Sequence, residues 1–124
     1  MTGRMSRNKG SSGEREFARV LSEAGWPSRR GRQYCGGPES PDVVTELEGY
    51  HFEVKRVERL RIYPSLEQAG DDSADGEIPV VAHRKNHKHW IVLLEAKAFL
   101  GLIKENERLS RALESRQVCL IKKK

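Results

Sequence analysis

Glu14, Asp42, Glu53 and Lys55 are the residues of this 124-residue chain whose types and spacing can do chemistry. Asp42 follows Pro41, and Glu53-Val54-Lys55 lies on the next β-rich run. Side chains alternate along a strand, so Glu53 and Lys55 share one face while Phe52 and Val54 turn to the other. Two carboxylates converging at strand ends repel each other unless a cation sits between them. Hard oxygen donors of this kind suit magnesium, with manganese as a substitute, ions that keep several waters and bind a substrate phosphate. The Val54 backbone carbonyl, between the two side chains, is a further candidate ligand, and Glu14 contributes an acid from a distant helix. Lys55 can set its ammonium beside the phosphate or the attacking water, where it stabilises charge that develops during hydrolysis. The chemistry expected is metal-assisted phosphodiester hydrolysis, which needs no covalent nucleophile.

Elements marked elsewhere in the sequence must bring these groups together. Phe17, Val20, Leu21 and Ala24 recur at helical spacing and Gly25 ends the run, so Glu14 falls in the first turns of a helix that starts near Ser11, with Ser11 or Ser12 as its cap. Residues 1–10 are basic and have no apolar period, which predicts a flexible basic arm. Pro41 to Leu47 and Tyr50 to Val57 are β-rich runs separated by Glu48 and Gly49. That pattern predicts an antiparallel hairpin, which would carry Asp42 to Glu53. A short helix is expected from Pro64 to about Ser73, then strands at Ile78–Ala82 and His89–Leu94 joined by a basic turn, then a helix from Ala96 to about Leu109. Residues 11–110 read as one domain and 111–124 as a basic tail. The expected class is α/β, a central mixed sheet flanked by helices.

Composition bounds the partners. Lys and Arg number 23 against 18 Asp and Glu, a formal charge of +5, which favours an anionic partner, most commonly nucleic acid. Arg29, Arg30 and Arg32 ahead of the acidic loop, and Arg84, Lys85 and Lys88 in the basic turn, are the candidates for phosphate contact. With 36% apolar residues a chain of this length can build one core without metal or disulfide staples. The apolar runs are too short to span a membrane, and the polar start does not read as a secretory signal, so a cytoplasmic protein without a membrane partner is expected. Cys35 and Cys119 have no paired spacing and are expected as free thiols. His83, His87 and His89 lack a fourth ligand and read as part of the basic turn rather than as a zinc site. Phe99, Leu100 and Ile103 are assigned to the core, and Trp26 and Trp90 to packing.

Pro41-Asp42 with Glu53-Val54-Lys55 resembles the motif of the PD-(D/E)xK nuclease superfamily. Three further segments narrow the resemblance: Lys9-Gly10-Ser11-Ser12-Gly13-Glu14-Arg15-Glu16, Ile78-Pro79-Val80-Val81, and the aromatic strand at Trp90. Together, over roughly residues 8 to 103, they are similar to the archaeal-type Holliday junction resolvases and their phage and prophage relatives. The resemblance implies a restriction-endonuclease-like core and a metal-dependent endonuclease of four-way or other branched DNA, usually a homodimer with one site per subunit. It implies Asp42 and Glu53 as metal ligands, Glu14 as a further acidic ligand and Lys55 as the catalytic lysine. Gln68 matches a helix glutamine that follows the motif in many relatives, while the tyrosine that accompanies it in some nucleases is replaced by Asp72. Lys9 and Ser11, in the opening segment, join the basic residues as DNA-contact candidates. Two rival readings are a nuclease of the same superfamily acting on linear or nicked duplex, and a catalytically silent DNA-binding module.

Overall fold

The protein is an α/β fold in a computed structural model that describes residues 2–31 and 41–122, with side chains over 10–31 and 41–119. Helix α1 spans Thr2–Glu23, strand β1 Ser28–Arg30, β2 Val43–Thr45, β3 Tyr50–Lys55, helix α2 Ile62–Asp72, β4 Ile78–His83, β5 Ile91–Leu93 and helix α3 Ala96–Lys122. The chain divides into two compact units, one up to Leu94 and one from Glu95 onward.

In the first unit β3, β4 and β5 form a mixed sheet in that order. The β3–β4 pair is parallel and β4–β5 antiparallel. Parallel neighbours need a crossover connection, and α2 supplies it. Pro64 sits in the first turn of α2, where its missing N–H has no helical partner to lose. β1 and β2 form a separate antiparallel ribbon with Arg30 opposite Val43.

Strand alternation sorts β3 into two layers. Phe52 and Val54 join Phe17, Ala18, Leu21, Val43, Val80 and Ala82 in the buried core beneath α1. The rings of Phe17 and Phe52 lie 5.4 Å apart and those of Phe17 and Trp90 5.1 Å apart, so the expected packing role of Trp90 holds. His51 and Glu53 take the opposite face, toward α2, and are also buried.

Several expectations are corrected. The hairpin between Pro41–Leu47 and Tyr50–Val57 does not form: β2 pairs with β1, and β3 pairs with β4. β2 offers three ladder residues, whereas β4 matches all six of β3, so the parallel partner satisfies more of the β3 backbone. Residues 2–10 continue α1 instead of forming an irregular arm, and Ser11 and Ser12 are interior helical residues rather than caps. Extending a helix already fixed by packing costs little, and Arg, Met and Lys favour it. The expected tail from 111 is likewise helical, to Lys122. It is supported by Arg108–Glu105 at 2.6 Å and Arg111–Glu107 at 3.9 Å, spaced three and four residues apart. Phe99, Leu100 and Ile103 are exposed rather than core residues, because helical period marks a stripe without saying what covers it. Trp26 is also exposed. Cys119 is a free, exposed thiol, and Cys35 lies outside the described residues.

Candidate metal site

Asp42 reaches the edge of β3 directly. Its Oδ2 accepts the Val54 N–H at 2.7 Å, and the carboxyl is buried. That N–H is available because β4 occupies only the other edge of β3. Both backbone polar groups of a strand residue point to one edge, so the Val54 carbonyl faces the same side as its N–H. Two glycines allow the approach. Gly31 donates its N–H to the Asp42 carbonyl at 2.8 Å, and a β-carbon at Gly31 would collide with the Pro41 carbonyl oxygen. On α1, a β-carbon at Gly13 would meet the Arg56 side chain, so glycine there lets the helix that carries Glu14 close on the end of β3.

The electrostatics are those of crowded acids. Burial first, then the charge of Glu53, push the Asp42 carboxyl from 3.8 up to about 7. Glu14 raises it further, while the Val54 N–H and the Lys55 ammonium oppose the shift. Lys55 Nζ stands 3.5 Å from Glu53 Oε1 and donates to Gln68 Oε1 at 3.0 Å, so the α2 glutamine holds the lysine head. Glu14 is buried and accepts the Arg30 Nε–H at 2.7 Å. Asp42, Glu14, Glu53, Lys55 and Gln68 thus belong to one linked constellation, with Val54 as its backbone anchor.

Two members escaped the sequence reading. His51 lies on the Glu53 face of β3, and Asp72 ends α2. One ligand atom from each of His51, Glu53 and Asp72 lies within 4.8 Å of the others. His51 Nε2 is 3.8 Å from Glu53 Oε2, beyond hydrogen-bond reach, and among the described residues it is the buried side-chain nitrogen or oxygen without a hydrogen-bond partner. The Glu53 carboxylate holds the imidazole above its usual pKa against the opposing effect of burial. The alternation that paired Glu53 with Lys55 also carried His51, whereas Asp72 comes from the following helix and only the fold brings it in. Carboxylates from α1, β3 and α2 beside the buried Asp42 carboxyl, with an imidazole nitrogen that has no hydrogen-bond partner, form a donor set that fits a divalent cation.

The basic candidates separate. Arg30 is tied to Glu14, and Arg29 is exposed beside it. Both line an open groove with Arg15 and Arg19, two α1 residues absent from the sequence-based set although their spacing of four puts them on one helix face. Arg84 is engaged by Glu16 and donates to the Lys88 carbonyl at 2.7 Å, while Lys85 and Lys88 are exposed in the turn before β5. Ser11 is half-buried within α1. Arg32 and the Lys9 side chain lie outside the described residues. His83 Nε2 is 2.9 Å from the Val57 carbonyl and His87 and His89 are exposed, so these three do not assemble a metal cluster among the described residues.

Comparison with known protein families gives a match over most of the chain. A family profile described as archaeal Holliday junction resolvase (hjc) aligns with residues 5–107, spanning α1, the sheet, the site and the first part of α3. Neither the curated proteins nor the solved structures return a match. No helix among the described residues is long and apolar enough to cross a membrane.

Proposed function

The chain belongs to the archaeal Holliday junction resolvase family of the PD-(D/E)xK nuclease superfamily, and from that premise we propose that it is a magnesium-dependent endonuclease that cuts four-way DNA junctions with the Asp42, Glu53 and Lys55 constellation. The nuclease assignment follows from the family, whose members are metal-dependent. The observation that carries the residue assignment is the Asp42 carboxylate anchored on the Val54 N–H at 2.7 Å, beside Glu53 and Lys55.

Asp42 and Glu53 would hold the cation, with Glu14 and the Val54 carbonyl as further donors. When bound, a divalent ion supplies Lewis acidity that lowers the pKa of water and neutralises phosphate charge. Lys55, held by Gln68, places a fixed positive charge where the phosphate gains negative charge. Arg30, Arg29, Arg15 and Arg19 hold the DNA backbone, and the Arg30–Glu14 contact ties that groove to the acidic cluster. Lys85 and Lys88 offer a second phosphate contact from the turn before β5. Such contacts carry little base information, so the shape of the branch selects the substrate.

The protein acts as a homodimer. On α3, Phe99, Leu102, Asn106, Leu109 and Leu113 follow alternating steps of three and four residues, the seam of a two-stranded coiled coil. An asparagine at one seam position is best matched by the same asparagine of a second copy in register. Leu109 and Leu113 are exposed.

A panel of linear, nicked, flapped and four-way substrates, each incubated in magnesium and in EDTA, tests the reading. The expected result is metal-dependent cutting of the four-way junction with linear duplex left intact. Equal cutting of linear duplex would transfer the assignment to a duplex nuclease. Tight, salt-sensitive binding without product on any substrate would leave a silent DNA-binding module.

A further inference from the structure

We propose that His51, Glu53 and Asp72 form a second cation position, which shares Glu53 with the Asp42 site and prefers a nitrogen-accepting ion such as manganese or zinc to magnesium. The proposal rests on the reading of Asp42 and Glu53 as cation ligands and adds a neighbouring position to it.

Three observations place the site. His51 Nε2 is about as deeply buried as a side-chain atom can be, its side chain being 3% exposed, and it lacks a hydrogen-bond partner. A polar atom buried without a hydrogen-bond partner forfeits its solvation unless something in the folded protein replaces the lost water. The nitrogen also lies in a small cluster of donors: Glu53 Oε2 is 3.8 Å away, and an Asp72 oxygen completes a set within 4.8 Å. Ligands about 2.0–2.2 Å from a zinc-sized ion stand up to about 4.4 Å apart, so small rotations close this set on one cation. Finally, the two oxygens of Glu53 face different partners, Oε1 toward Lys55 and Oε2 toward His51. That orientation gives the second position an oxygen the lysine does not occupy.

The chemistry of the donors sets the preference. Magnesium holds oxygen ligands and gives up water reluctantly, whereas imidazole nitrogen suits the later divalent ions. One nitrogen and two carboxylates therefore distinguish this position from the all-oxygen set of Asp42, Glu53, Glu14 and the Val54 carbonyl. Asp72 is half-exposed at the end of α2, which gives an ion an entry route from solvent and makes this residue tolerant of substitution.

Isothermal titration of the full chain, free of DNA, with manganese chloride and separately with magnesium chloride reads the site without recourse to activity. The parent protein is expected to take up two equivalents of manganese. His51→Gln and Asp72→Asn should each retain one equivalent and lose or weaken the other at least tenfold, with magnesium titrations unchanged. Asp42→Asn should do the reverse, weakening magnesium and sparing the His51-dependent manganese event. Circular dichroism establishes that each variant is folded, and Asp72→Asn carries the test if His51→Gln is not. Identical manganese isotherms for the parent and Asp72→Asn would overturn the second position. Identical magnesium isotherms for the parent and Asp42→Asn would instead overturn the assignment of the first.

Discussion

Asp42 is the residue at which folding and function oppose each other. Its carboxyl is held near 7 by burial and by the Glu53 charge, against 3.8 for the free group. In the unfolded chain the group is ionised above about pH 4, while the folded chain keeps the proton to near neutrality. Between those limits the folded state binds more protons, so stability falls as pH rises. Thermal melts in EDTA should therefore show a lower Tm at pH 8 than at pH 5. Asp42→Asn, neutral at both, should remove most of that fall and exceed the parent at pH 8 by on the order of 2 kcal/mol. Superimposable pH profiles would mean that the acids are not crowded. The motif residues were legible because Pro41-Asp42 and Glu53-Val54-Lys55 are local patterns on a strand of period two. His51 stands in the same alternation, but nothing local in the sequence separates a ligand from a packed strand residue there. Asp72, Gly13 and Gly31 were illegible for a different reason, since what each touches is decided by contacts between distant segments.

Among the elements, β3 determines how the site is built. The sequence marked Tyr50–Val57 as a strand and expected Asp42 to arrive by a hairpin, but Asp42 arrives through a hydrogen bond to the free edge of β3. Pairing partners of strands depend on competition between candidate ladders, and nearness in sequence favoured the three-residue β2 over the six-residue β4 that wins. The helices show the complementary error. Their apolar periods are visible in the sequence, but α1 and α3 run on past those periods, through the polar residues 2–10, where no apolar stripe marks a helix, and through 110–122. The longer α3 gives the seam that runs from Phe99 to Leu113. Replacing Leu109 and Leu113 together by Asp puts charge into that seam and should convert a dimer to a monomer in light scattering, with the β-sheet signature in circular dichroism retained. A dimer of unchanged mass would remove α3 as the self-association surface.

For the whole molecule, the excess of five positive charges pointed to an anionic partner but not to the surface that meets it. The fold gathers Arg15, Arg19, Arg29 and Arg30 on one groove linked through Arg30 to Glu14. If that groove holds phosphates, the double change Arg15→Ala and Arg19→Ala should weaken junction binding uniformly and reduce the salt slope of log affinity by up to about 1.8, since each phosphate contact contributes about 0.9. An unchanged slope would place the DNA elsewhere. The α/β class and the superfamily were readable from local motifs carried on recognisable strands and helices, and the family match over residues 5–107 agrees with both. If the acids that meet at β3 cut DNA, removing the Asp42 charge must stop the cut. Single-turnover cleavage of a four-way junction in magnesium, parent against Asp42→Asn, tests it most directly when paired with junction binding in EDTA. Asp42→Asn should lose at least about 100-fold in rate with affinity kept within about twofold; cleavage at the parent rate would show that Asp42 holds no catalytic ion.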